Sequence, residues 1–88
     1  MRKVSITLQR AGDGPVIAQA IEADNPGCEV SRMPALVKID REGEIVIKAA
    51  TIGEQLGREW DPVELQLSMI SLSGNIDEDD EQFVLSWQ

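Results

Sequence analysis

The 88-residue chain has no histidine, no tyrosine and a single cysteine. Each absence removes a class of chemistry. Without histidine the commonest general base and the commonest metal ligand are both missing. Ser-His-Asp and Cys-His arrangements are impossible, and so is a Glu-x-x-His di-iron site within this chain. One thiolate is too few for a zinc site or an iron–sulfur cluster. Cys28 has no intramolecular disulfide partner, which fits a cytoplasmic protein. Neither a GxGxxG run nor a P-loop occurs. Paired-carboxylate hydrolysis stays formally open, but a chain this short leaves little room for the deep cleft it uses. No apolar run approaches 18 residues, so no membrane span is expected. The N-terminal MRKVSITLQR alternates apolar and polar residues at once and lacks a secretory h-region.

Basic charge is also scarce. Eight Lys and Arg stand against 16 Asp and Glu, for a net charge of −8. Five of the acids are consecutive, Asp77-Glu78-Asp79-Asp80-Glu81. Removing them leaves 11 acids against 8 bases, a balance of −3. Nucleic acid is disfavoured as a partner because phosphate binding needs clustered cations. Anionic membrane surfaces are disfavoured for the same reason.

What remains is an ordinary apolar fraction, 42%, with only Trp60, Phe83 and Trp87 as aromatics. The core must therefore be built from Ile, Leu and Val. At this length roughly 60–65% of the unfolded surface can be buried, which allows one modest core and a single domain over residues 1–88.

Val4, Ile6 and Leu8 alternate with polar residues, the mark of a half-buried strand. Gly12-Asp13-Gly14 breaks it, and Pro15 suits a first helical turn. Val16, Ile17, Ala20 and Ile21 form one stripe of a helix reaching Asp24, which Asn25-Pro26-Gly27 ends. Cys28–Met33 is a short strand. Ala35–Asp40 and Ile45–Ala49 are strands around Arg41-Glu42-Gly43-Glu44, a hairpin signal. Thr51-Ile52-Gly53-Glu54 has capping-box spacing, for a helix that stops near Gly57. Asp61-Pro62-Val63-Glu64 is a second such signal, opening a helix over Pro62–Leu67. Ser68–Ile76 and Gln82–Trp87 are expected to pair as a hairpin across the acidic loop. The order β-α-β-β-β-α-α-β-β predicts a compact α+β domain, a mostly antiparallel sheet packed with three short helices.

Several features have both a plain and a functional reading. The run Asp77–Glu81 lacks the alternate ligands and central Gly of an EF-hand loop. It reads as a solvated loop that can also steer a basic partner. Cys28 sits beside a turn with nothing to activate it, and reads as an inert, partly buried thiol. Trp60 precedes an Asp cap, where core packing is the first reading and a partner hot spot the second. Arg58 can pair with Glu59 or Asp61, or reach a partner carboxylate. In Ser68–Asn75 the serines Ser71 and Ser73 alternate with Ile70 and Leu72. One face of that strand can be buried while the other offers small hydroxyls, a docking face with little side-chain entropy to lose.

The segments AIEADNP (20–26), ALVKI (35–39), LGREWD (56–61) and ISLSGNIDEDD (70–80) resemble the small regulatory, or effector, proteins of bacterial multicomponent monooxygenases. Among these the activator components of phenol hydroxylases are the nearest in pattern. The likeness runs in order along nearly the whole chain. It implies a cofactor-free, non-catalytic protein that binds a separate hydroxylase holding a carboxylate-bridged di-iron centre and raises its turnover and coupling. A reductase feeds that centre from NADH. The resemblance places hydroxylase docking on Ser68, Ile70, Ser71, Leu72, Ser73, Gly74 and Asn75. Two departures stand out. Methane monooxygenase relatives carry a long N-terminal tail, whereas here the first strand starts about three residues in, so no tail mechanism is expected. Their docking strand is also richer in small residues, where this chain has the bulky Leu72.

Two other readings compete. A small-molecule-sensing α+β module would bind metabolites between helices and sheet. An acyl-carrier-like protein would share the size and acidity, but it needs a modified serine at a helix start and a mainly helical fold.

Overall fold

The structure, a computed structural model, describes residues 2–87. In chain order its elements are β1 (Lys3–Gln9), α1 (Gly14–Asp24), β2 (Glu29–Arg32), β3 (Leu36–Glu42), β4 (Glu44–Lys48), α2 (Ala49–Leu56), a 3₁₀ helix (Pro62–Leu67), β5 (Met69–Ser73), β6 (Asn75–Glu78) and β7 (Gln82–Ser86). The expected α+β class holds, and the strand pairs are antiparallel. The expected single strand over 68–76 is instead two, β5 and β6.

The strands form two sheets, in the orders β2-β3-β1-β5 and β4-β7-β6. The hairpin expected between Ala35–Asp40 and Ile45–Ala49 does not form. β3 pairs with β1 and β2, while β4 pairs with β7. Gly43, at φ +90°, turns the chain from one sheet to the other, and its N–H donates to the Arg2 carbonyl at 3.3 Å. Turn chemistry was readable here, but the pairing partner was not. Each strand alternates correctly, and alternation does not say which edge a strand joins.

Gly74 is the second crossing point. At φ +142° it ends β5, which pairs with β1, and begins β6, which pairs with β7. A Cβ here would lie 2.9 Å from Leu85 Cδ1 and 3.1 Å from Val4 Cγ1. Both the backbone angle and the space therefore demand glycine. The closing hairpin is consequently β6–β7, shorter than expected. Asp77 and Glu78 lie in β6, and the connecting turn is reduced to 79–81.

The core is aliphatic, as the composition requires. Val4, Ile6, Leu8, Ile17, Ile21, Val37, Ile39, Ile45, Ile47, Ile52, Leu65 and Leu85 are fully buried, and Trp60 and Phe83 join them. Trp87 stays outside this core and is 37% exposed. Its Nε1–H donates to the Lys3 carbonyl at 2.8 Å, and the Arg2 guanidinium lies 4.3 Å from the ring centroid. It clasps the end of β7 to the start of β1.

Three local signals play out differently. Asn25 is fully buried rather than a mere helix stop. Its Nδ2 donates to the Ile21 and Val46 carbonyls at 2.7 and 2.8 Å, and the Val46 N–H donates to its Oδ1 at 2.8 Å. One side chain thus closes α1 and fastens it to β4. α2 starts at Ala49, before the expected Thr51 cap, with no side-chain cap. The Ala49 N–H donates to the Glu81 carbonyl at 2.9 Å, so a tertiary bond replaces the local one. Its end at Gly57, φ +75°, is as expected. The Asp61–Glu64 capping box forms in full, although the helix it opens is 3₁₀.

Candidate functional site: the uncovered face of the four-stranded sheet

β1 supplies the two faces of the larger sheet. Val4, Ile6 and Leu8 point into the core, where α1 contributes Ile17, Ala20 and Ile21. Ser5 and Thr7 point the other way. Strand register then aligns small polar side chains across the sheet in two rows. One runs Ser31, Lys38, Thr7, Ser71, and the next runs Glu29, Asp40, Ser5, Ser73. In the second row Ser5 Oγ donates to the Asp40 carboxylate, and Glu29 is met by Lys3 Nζ from β1 at 2.9 Å. That ammonium's pKa is raised, first by its hydrogen bond to Glu29. In the first row Lys38 lies 3.8 Å from Asp40, beyond hydrogen-bond reach.

The alternation expected in the docking strand is broken by a β-bulge. Thr7 faces Ser71 and Leu8 faces Met69, which leaves Ile70 as the extra residue. Without a bulge, Ile70 would share the inward face of Leu72 and Met69 would point outward. Instead Met69 packs on the core and Ile70 is 51% exposed. Burying an isoleucine is worth about 1.5–3 kcal/mol relative to exposing it. The bulge passes that gain to Met69, whose burial is worth a similar amount, and delivers an aliphatic side chain to the hydroxyl face.

The seven residues proposed for docking therefore divide. Ile70, Ser71, Ser73 and Asn75 are exposed. Ser68 is buried beneath the end of the 3₁₀ helix, where its carbonyl accepts the Gln9 N–H at 2.7 Å. Leu72 is opposite Ile6 and packs against the core. Gly74 is the sheet-crossing position. The first four can touch a partner, and the other three hold them in place.

The sequence reading missed Ser5, Thr7, Met33, Leu36 and Lys38. Together with Ile70, Ser71, Leu72 and Ser73 they surround a shallow depression of about 390 Å³ on this face. Ser5 and Thr7 were legible as the polar side of β1. What joins them to Ser71 and Ser73 is a pairing between strands more than sixty residues apart, and no local pattern carries that.

Elsewhere the surface is less organised. A wider depression of about 840 Å³ opens to solvent between α2 and the 3₁₀ helix. Arg58 lines it but is already engaged, with Asp13 at 2.9 Å and Glu64 at 3.2 Å. It does not pair with the Asp61 carboxylate, and it reaches only the Glu59 carbonyl, at 2.8 Å. In the acidic run the Asp79 carboxylate accepts the Glu81 and Gln82 N–H groups at 2.8 and 2.9 Å, which makes a turn. Among the described residues no three His, Cys, Asp or Glu side chains are placed to hold a metal ion. Cys28 is half-buried, and burial followed by the neighbouring Glu22 pushes its thiol pKa up. No helix among the described residues is long and apolar enough to cross a membrane.

Residues 2–86 match the MmoB/DmpM family. Over 85 residues the chain is 39% identical to the stimulatory component DmpM of phenol 2-monooxygenase from Pseudomonas sp. (strain CF600), covering 97% of this chain and 94% of that one. Two solved structures of a phenol hydroxylase–regulatory protein complex contain similar chains. One is 40% identical with a TM-score of 0.93, covering 99% of this chain and all of that one. The other is 38% identical with a TM-score of 0.90, covering 98% of this chain and all of that one. The soluble methane monooxygenase regulatory protein B shares the fold, with a TM-score of 0.77 at 18% identity over 98% of this chain and 65% of its own length.

Proposed function

The chain belongs to the MmoB/DmpM family, and we propose that it is the non-catalytic regulatory component of a multicomponent phenol or aromatic monooxygenase. It binds the hydroxylase component and raises its turnover and coupling. The observation that carries this reading is a full-length match, near 40% identity, to the stimulatory component of a phenol monooxygenase and to regulatory chains solved with phenol hydroxylase. In this reading the di-iron centre and the substrate pocket belong to the hydroxylase, and a reductase supplies electrons from NADH in the cytoplasm.

A regulator without its own chemistry acts by binding one hydroxylase state better than another. A preference of about 1.4 kcal/mol shifts such an equilibrium tenfold. The uncovered face suits that role. Its serines and threonines are short and lose little rotamer freedom when covered, and Ile70 supplies an apolar contact. Docking centres on Ile70, Ser71, Ser73 and Asn75, with Ser68, Leu72 and Gly74 as their support.

The test is a titration of the purified protein into hydroxylase, reductase, NADH and phenol. Product formation per NADH consumed should rise and saturate. Turnover and coupling that stay flat across the titration would refute the regulatory role.

A further inference from the structure

We infer that the hydroxylase is gripped at one end of the depression, by an apolar clamp of Met33, Leu36 and Ile70 with Lys38 beside it as the charge contact. This deepens the regulatory reading and rests on it. The partner feature it fits is an apolar side chain followed closely by a carboxylate.

Three observations converge on this spot. Met33 and Ile70 are 41% and 51% exposed, come from opposite edges of the sheet, and line the same depression as Leu36. Exposed aliphatics scattered singly need no explanation. These line one depression, and one of them is there because a bulge exchanged it with Met69. Among the described residues Lys38 is the only charged one lining the depression. Its ammonium makes no hydrogen bond among the described residues, and its nearest carboxylate is 3.8 Å away. On a chain of net charge −8 it is a cation held only by that loose pairing with Asp40, flanked by the hydroxyl-bearing Thr7 and Ser31. The arrangement has the anatomy of an interface centre: an apolar anchor site, one charge that fixes register, and small polar groups around them.

The occupant is the hydroxylase rather than a second copy. Chains of this shape and near 40% identity are seen with phenol hydroxylase. A second copy would also bring another −8 to an already acidic surface.

The test uses the whole chain with its hydroxylase and reads both direct binding and the concentration that half-saturates stimulation. Ile70→Ser and Met33→Ser should each raise that concentration about tenfold. Ile70→Thr, which keeps the β-branched shape, guards against a folding defect and should lie between Ser and wild type. Lys38→Gln should weaken binding a few-fold and flatten its dependence on salt, as loss of an interface charge does. Val63→Ser removes an equally exposed aliphatic from the 3₁₀ helix and should change nothing. Several results would overturn the assignment. If wild type binds and the Met33→Ser, Ile70→Ser double variant binds within twofold of it, the clamp is wrong while the regulatory role stands. If sedimentation shows a dimer that Ile70→Ser dissolves without loss of hydroxylase binding, the face pairs copies of the chain instead. If the unaltered chain neither binds nor stimulates, the regulatory reading fails and the clamp falls with it.

Discussion

The two faces of the four-stranded sheet come from the same strands and obey opposite rules. Inward, Val4, Ile6, Leu8, Val37 and Ile39 are at most 2% exposed. Outward, the same strands offer Ser5, Thr7, Lys38 and Asp40, and among the described residues no helix covers them. The inner face holds the fold together through apolar area removed from water. The outer face contributes little to that and is free to be shaped by a partner. If the outer face is where the partner docks, as proposed, stability and function are separated by the thickness of one sheet, and substitutions on the two sides should have different signatures.

The largest effect is expected from the inner face. Ile39→Ala leaves a cavity between β3, β1 and α1, and should cost about 3–4 kcal/mol. A domain of this size has only about 5–15 kcal/mol in total. Urea unfolding should show the loss, and whatever folded protein remains should still stimulate at saturation. A loss of stimulation at full folding would break the division between the faces.

Gly74→Ala tests the crossing between the two sheets and comes next. It places a Cβ against Leu85 and Val4 in a backbone region that suits glycine. The expected cost is on the order of 2 kcal/mol. Stimulation should suffer as well, because β5 and the docking residues hang from this hinge. If the melting temperature is unchanged, the tight packing around Gly74 is not what shapes the crossing.

Ser71→Trp is the converse case. Ser71 is exposed at the edge-strand end of its row, so stability should stay within about 0.5 kcal/mol of wild type. A bulky ring on the docking face should nevertheless raise the half-saturating concentration about tenfold or more. Normal potency would move the interface off this face.

The difference between the faces also explains what the sequence disclosed. The inner face is written in local periodicity: Val4-Ile6-Leu8, the stripe on α1 and the Asp61–Glu64 box were all legible. The acidic run was legible as solvated, although two of its five residues, Asp77 and Glu78, proved to be strand. The outer face is assembled by long-range register, and there the reading stopped at one segment. Ser71 and Ser73 were found because they alternate within β5. Thr7 and Lys38 were not, because only pairing brings them alongside. The bulge was invisible for a related reason. Ile70-Ser71-Leu72-Ser73 reads as ordinary alternation, and only the partner strand shows that one residue is extra. Likewise Arg41–Glu44 was legible as a turn but not as a crossing between sheets. Asn25 looked like a helix stop because its second partner, Val46, lies twenty-one residues away.

Cys28 offers the smallest and most local test, from the inner side. It packs against the core next to Glu22 of α1, and burial raises its thiol pKa. A raised acid pKa means that the folded state holds its proton more tightly than the unfolded chain does. Stability is therefore unaffected below the ordinary thiol range and falls as pH climbs through it, since the unfolded chain ionises first. At pH 8 a thiol-reactive dye should label the folded protein slowly and the urea-unfolded protein fast, and the folded rate should rise only at higher pH. Bound hydroxylase should leave that rate unchanged, because Cys28 packs against the core and the proposed contacts are on the opposite face of the sheet. Strong protection of Cys28 by the hydroxylase would mean that the partner wraps around the sheet edge, and the contrast between the two faces would no longer divide the protein by function.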